Sequence, residues 1–216
     1  MPDFLNYARL GISANSIHHF EKLDDGCLMD ASNLTTLYLS NNAIFYISPQ
    51  ALRGLKKLQF LDLSYNAIEY IAPGTFKDID EITTLRLEFN HLYTVSAGTF
   101  AGLKNLEFIH LEYNRISSVA VGAFEGAAAA RTVQISANNL VTIKPGIFRG
   151  LSSVNVLTSI DKDVFNLTEL TSHKVTVNLG GCKLDCQCDI DWLNEAPFTT
   201  LYAYCATPPE LSTSAL

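Results

Sequence analysis

The sequence predicts an α/β solenoid, a stack of short coils that each add one strand to a parallel β-sheet. Three observations predict it. A pattern of apolar residues closed by an asparagine recurs every 24 residues, five times without a slip. Inside each copy the apolar positions alternate, the period of a strand with one buried face. A largely aromatic column recurs at the same step in the other half of each copy.

The first copy is Leu34, Leu37, Leu39, Asn42 and Ile44. The next four are Leu58, Leu61, Leu63, Asn66, Ile68; Ile82, Leu85, Leu87, Asn90, Leu92; Leu106, Ile109, Leu111, Asn114, Ile116; and Ala130, Val133, Ile135, Asn138, Leu140. Four residues cannot bury a face alone, so each strand must pair with its equivalent in the next copy. Every strand runs in the same direction, which makes the sheet parallel and sends the remaining residues across the other side as a crossover. An asparagine at the strand end faces inward, where its amide needs backbone partners in its own and neighbouring turns. Leu52, Phe76, Phe100, Phe124 and Phe148 line the crossover side, with Leu55, Ile79, Leu103, Ala127 and Leu151 in the adjoining column. The constant step of these columns is that of a solenoid core rather than a cofactor box.

Around the regular array, residues 34–153, the ends are atypical. Residues 1–33 form a degenerate first repeat and N-terminal cap, in which Tyr7, Leu10, Ile12, Asn15 and Ile17 follow the pattern. Asn15 and Asn42 are 27 apart, so three extra residues are expected, placed between Phe20 and Leu28. Cys27, beside that segment, reads as a small buried apolar residue. Residues 154–177 form a short irregular repeat and residues 178–216 a cysteine-rich C-terminal cap. That cap holds Cys182, Cys186, Cys188 and Cys205. Cysteines crowded at one end read as disulfide staples, which need an oxidising compartment. Zinc is the competing reading, but Cys-x-Cys is tight for a tetrahedral site and a second knuckle is missing.

The 24-residue repeat, the Cys186-x-Cys188-x-x-x-Trp192-Leu193 segment and Cys205-x-x-Pro208-Pro209 together resemble the leucine-rich repeat family, in its form typical of extracellular proteins. The resemblance covers roughly residues 7 to 205. It implies a curved horseshoe with the parallel sheet on its concave face, ligand binding on that face, and a disulfide-bonded C-terminal cap. It also implies a Cys186–Cys205 bridge, which leaves Cys182 for Cys188; spacing alone leaves three pairings open. Among families with these repeats and this cap, the chain is similar to the variable lymphocyte receptors of jawless vertebrates. Adhesion and guidance receptors and matrix proteins are the alternatives.

The functional candidates lie between the core leucines, on the solvent face of the sheet. They are Tyr38, Phe60, Asp62, Tyr65, Arg86, Glu88, Phe89, Phe108, His110, Glu112, Tyr113 and Gln134. Exposed aromatic rings interleaved with acids suit a protein or cell-surface ligand, and adjacent Glu88 and Glu112 favour a basic one. Asp62, Ser64 and His110 are triad types, but His110 stands two strands from Asp62, and an open sheet excludes no water. No glycine-rich phosphate loop occurs; no enzymatic activity, cofactor or metal is expected.

Composition narrows the partners further. Of 216 residues, 48% are hydrophobic and 17% charged, the mix of a globular chain. With a net charge of −7, a nucleic-acid partner is excluded. No apolar run of about 18 residues predicts a membrane span. The start shows no basic stretch followed by an apolar one, so no signal peptide is read. Sequons at Asn33 and Asn166 fit a glycoprotein, secreted or on the cell surface, acting as a monomer or weak oligomer.

Overall fold

A computed structural model describes residues 8–12, 21–140 and 147–151, and the backbone alone of four further short strands. The regular copies form the strands expected of them. Arg9–Gly11 (β1) opens the sheet, and Lys22–Leu23 (β2) follows on the flank. Thr36–Tyr38 (β3), Phe60–Asp62 (β5), Thr84–Arg86 (β6), Phe108–His110 (β8) and Thr132–Gln134 (β10) are the sheet strands of the five copies. Between them lie the flank strands Tyr46–Ile47 (β4), Thr94–Val95 (β7) and Ser118–Val119 (β9). Thr176–Asn178 (β11), Leu184–Asp185 (β12), Leu201–Tyr202 (β13) and Cys205–Thr207 (β14) complete the described strands.

One parallel sheet runs β1-β3-β5-β6-β8-β10-β11-β13. Leu37, Leu61, Leu85, Ile109 and Val133 are successive register partners along it, fully buried at the middle of each strand. The asparagine ladder locks one coil to the next. The Asn66 amide donates to the carbonyls of Leu39 in the preceding coil and Leu63 in its own, at 2.9 and 3.0 Å. Its Oδ1 accepts from the backbone of Ile44 at 3.0 Å. Asn90, Asn114 and Asn138 repeat this set. Both ends of each buried amide are thereby satisfied, as burial demands.

The crossover side differs from a helix-bearing α/β coil. Among the described residues it contains no helix, only consecutive turns closed by i to i+3 bonds such as Leu55 N–H to Leu52 O and Leu58 N–H to Leu55 O. Glycines at positive φ, Gly98 at +74° for one, interrupt each crossover before a helical turn propagates. Phe76, Phe100 and Phe124 fill the space beneath, fully buried, with Phe100 and Phe124 stacked at 5.4 Å.

The first coil corrects the sequence reading. Leu10 pairs with Leu37, 27 residues on, whereas Leu23 pairs with Ile47, only 24 on. The Phe45 amide donates to the Glu21 carbonyl, so the 24-residue step already holds at Glu21. The three extra residues therefore fall between Ile12 and Glu21, not between Phe20 and Leu28. After β10 the next sheet strand begins at Thr176, paired with Thr132. The side chains of Cys182, Cys186, Cys188 and Cys205, and Asn166, lie outside the described residues. Cys27 is a free thiol, half-buried against the core.

Candidate aromatic and acidic recognition face

Each regular coil has one residue of left-handed backbone three positions beyond its sheet strand, just before the ladder asparagine. These residues are Asn41, Tyr65, Phe89, Tyr113 and Ala137, with φ between +53° and +56°. An L-residue there costs about 1–2 kcal/mol unless it is glycine or a short polar side chain. Three consecutive coils nonetheless place an aromatic at this point. The Tyr65 and Phe89 rings stack at 4.3 Å and 9°, and those of Phe89 and Tyr113 at 4.4 Å and 6°. Each such pair contributes about 0.5–1.5 kcal/mol beyond area burial, enough to offset much of the backbone strain. The outcome is an exposed three-ring stack, with Tyr65 at 47% and Tyr113 at 56% of full exposure.

The acids beside the stack are less open than the sequence predicts. Asp62 and Glu88 were expected on the solvent face, yet both are buried, each only 5% exposed. Short-range pairing explains this. Asp62 Oδ1 accepts from the Ser64 hydroxyl at 2.6 Å and the Ser64 amide at 3.0 Å. Arg86 lies across the neighbouring strand, its Nε donating to Glu88 Oε1 at 2.8 Å, its Nη2 reaching the same oxygen, and its Nη1 3.8 Å from Asp62 Oδ2. Burial alone would lower the Arg86 pKa, but the bond to Glu88 and the charges of Glu88, Asp62 and Glu112 outweigh it and hold it above its ordinary value.

On the next strand His110 Nδ1 sits 3.4 Å from Glu112 Oε1. Glu88 Oε2 and Glu112 Oε2 are both buried without a hydrogen-bond partner. Phe60 packs its ring against Tyr38 at 5.3 Å, and Phe108 is exposed. Gln134 stands beside His110 in register, half-buried on the last regular strand. The structure thus joins Asp62, Arg86, Glu88, His110 and Glu112 into one polar row with the ring stack along its edge. Tyr38 and Phe60 form a separate pair, Phe60 on the same coil as Tyr65 and Tyr38 on the coil before it.

A second aromatic cluster escaped the sequence reading. Phe45, Tyr46, Tyr70 and Tyr93 are exposed on the flank that follows the ladder asparagines, and Tyr70 stacks on Tyr93 at 6.2 Å. Its signal was the recurring apolar or aromatic residue one or two positions beyond Ile44, Ile68 and Leu92. Asn33 is exposed, its Oδ1 accepting from Lys57 at 2.9 Å. Among the described residues, no three His, Cys, Asp or Glu side chains are grouped to hold a metal ion.

Comparison with known proteins agrees with this geometry. The family described as leucine rich repeat matches in four overlapping segments, residues 8–68, 32–92, 61–116 and 80–132. Leucine-rich repeat-containing protein 66 of Rattus norvegicus is 42% identical over 60 residues, covering 28% of this chain and 6% of that protein. The chain therefore spans a small part of that relative. The family segments run unbroken from residue 8 to residue 132, more than half of the sequence, and the chain belongs to the leucine-rich repeat family.

Proposed function

We propose that this chain is an extracellular recognition module that binds a protein ligand through its sheet face, in the manner of a variable lymphocyte-type immune receptor. Leucine-rich repeats generally mediate protein–protein interaction and typically act as non-enzymatic scaffolds. The single observation that carries the reading is the Tyr65–Phe89–Tyr113 stack, exposed at left-handed positions where the fold itself asks only for asparagine or alanine. Rigid aromatic area beside fixed charge is the make-up of binding hot spots. Asp62, Glu88 and Glu112 outnumber Arg86, which favours a partner with a basic surface.

The crowded C-terminal cysteines and the exposed Asn33 support the secreted or cell-surface assignment. The test screens secreted and cell-surface proteins for binding, then compares wild type with Tyr65→Ala/Tyr113→Ala and with Glu88→Gln/Glu112→Gln, which keep the shape and an acceptor for Arg86 and His110. Both pairs should weaken binding at least tenfold, and the wild-type association rate should fall as salt screens the carboxylates. Unchanged affinity in both pairs would remove the sheet face from the account.

A further inference from the structure

We infer that Glu88 and Glu112 together receive a single lysine ammonium from the partner protein. The inference rests on the reading of this face as a protein-binding surface and gives it a chemical selectivity. Glu88 and Glu112 are equivalent residues of adjacent coils. Arg86 and His110, two residues before them, are register partners, and the Phe89 amide donates to the Glu112 carbonyl at 3.0 Å.

Each glutamate is held from its own strand by one oxygen only. Arg86 occupies Oε1 of Glu88, and His110 faces Oε1 of Glu112. The second oxygen of each is buried and unpartnered, and Glu88 itself is 5% exposed. A buried carboxylate oxygen normally finds a donor, so two unmatched ones on neighbouring coils mark a place for a group the chain does not supply. Asp62 and Glu88 lie against the Arg86 guanidinium and Glu112 against the His110 ring, so carboxylates outnumber the fixed positive charge of this row and the group they lack is a cation.

The free oxygens also select among cations. A guanidinium binds best through its planar fork to both oxygens of one carboxylate. Here neither glutamate has two oxygens to offer. An ammonium carries three diverging N–H donors, and two of them can go to oxygens on different side chains. A divalent metal needs a larger oxygen set than two single carboxylate atoms. Phe89 and Tyr113 directly follow the two glutamates and are stacked and exposed, giving apolar surface for the four-carbon stem of a lysine.

The experiment titrates the full chain with Nα-acetyl-lysine amide, Nα-acetyl-arginine amide, Nα,Nε-diacetyl-lysine amide and calcium, and follows the glutamate side-chain carboxyl carbons by NMR. The lysine probe should shift Glu88 and Glu112 together. The arginine probe should bind at least tenfold more weakly, and the diacetylated probe should leave both signals in place. Glu112→Gln, a half-buried position that keeps an acceptor for His110, should weaken the lysine probe at least fivefold with an unchanged backbone spectrum. Equal binding of arginine, equal shifts with calcium, or full affinity of the Glu112→Gln chain would overturn the inference. If the lysine probe fails while Tyr65→Ala/Tyr113→Ala still releases the protein partner, only the lysine selectivity falls. If the aromatic variants also bind fully, the recognition face falls with it.

Discussion

Phe89 stacks on Tyr113 at 4.4 Å with 6° between the ring planes, while both residues hold left-handed backbone at φ +56° and +53°. The strain and the stack belong to the same two residues and pull in opposite directions. Replacing Phe89 with alanine keeps the strain and loses both of its ring contacts, so stability should drop by about 1–3 kcal/mol. Phe89→Asn loses the same contacts but tolerates the left-handed region, and should be about 1 kcal/mol more stable than Phe89→Ala. Urea denaturation of the two variants side by side reads the difference; alanine equal to or better than asparagine would contradict the stated origin of the strain.

Asn90 is 3% exposed and satisfies three backbone groups at once: the Leu63 and Leu87 carbonyls and the Ile68 amide. Asn90→Ala leaves these groups buried without partners and should cost about 3–5 kcal/mol. Asn90→Asp keeps the acceptor for Ile68 but places a carboxylate against two carbonyls, so it should be no better. Thermal unfolding of both variants checks this.

The 24-residue period made the array legible, because a constant step forces equivalent strands into register: Leu61 opposite Leu85, Leu85 opposite Ile109. The asparagine ladder was legible for the same reason. The burial of Glu88 was not, since it depends on Arg86 folding back over it along its own strand rather than on any repeating position. Neither was the left-handed turn beneath Tyr65, Phe89 and Tyr113, whose one sequence trace is Asn41 in the same column. The insertion in the first coil was misplaced because its flanking apolar residues fit either register, and the Leu23–Ile47 pairing with the Phe45–Glu21 backbone bond decides between them.

Gly126 and Gly74 both have positive φ but differ in their surroundings. A Cβ on Gly126 would sit 2.6 Å from the Phe100 carbonyl oxygen and 2.7 Å from the Gly102 nitrogen, both backbone atoms of the preceding coil. On Gly74 it would meet only a Lys77 side-chain carbon at 3.8 Å. Gly126→Ala should therefore cost more than about 3 kcal/mol, against about 1–2 kcal/mol of backbone strain for Gly74→Ala. Similar losses in a denaturation series would refute the close coil-to-coil approach.

Burial, and then the negative charge of Asp24, push the Cys27 thiol above its ordinary range. The thiolate is the nucleophile, so Cys27 in the native chain should react with iodoacetamide more slowly at pH 8 than in the unfolded chain. A raised folded pKa means the neutral thiol is the form the fold favours. Its contribution is complete below the unfolded pKa and is lost as pH rises through the folded one, so stability should decline above about pH 9. Mass spectrometry of the Cys27 peptide follows the reaction; native and unfolded rates that match would contradict the assignment.

The central claim, that the ring stack is the contact surface, is tested most directly by cross-linking from within it. A benzophenone amino acid is placed at Tyr113, in the stack, and separately at Val121, which is exposed on the crossover side. Each chain is irradiated with the bound protein partner, and the covalent adduct is quantified. The account predicts abundant adduct from position 113 and little from position 121. Adduct from position 121 with none from position 113 would contradict it.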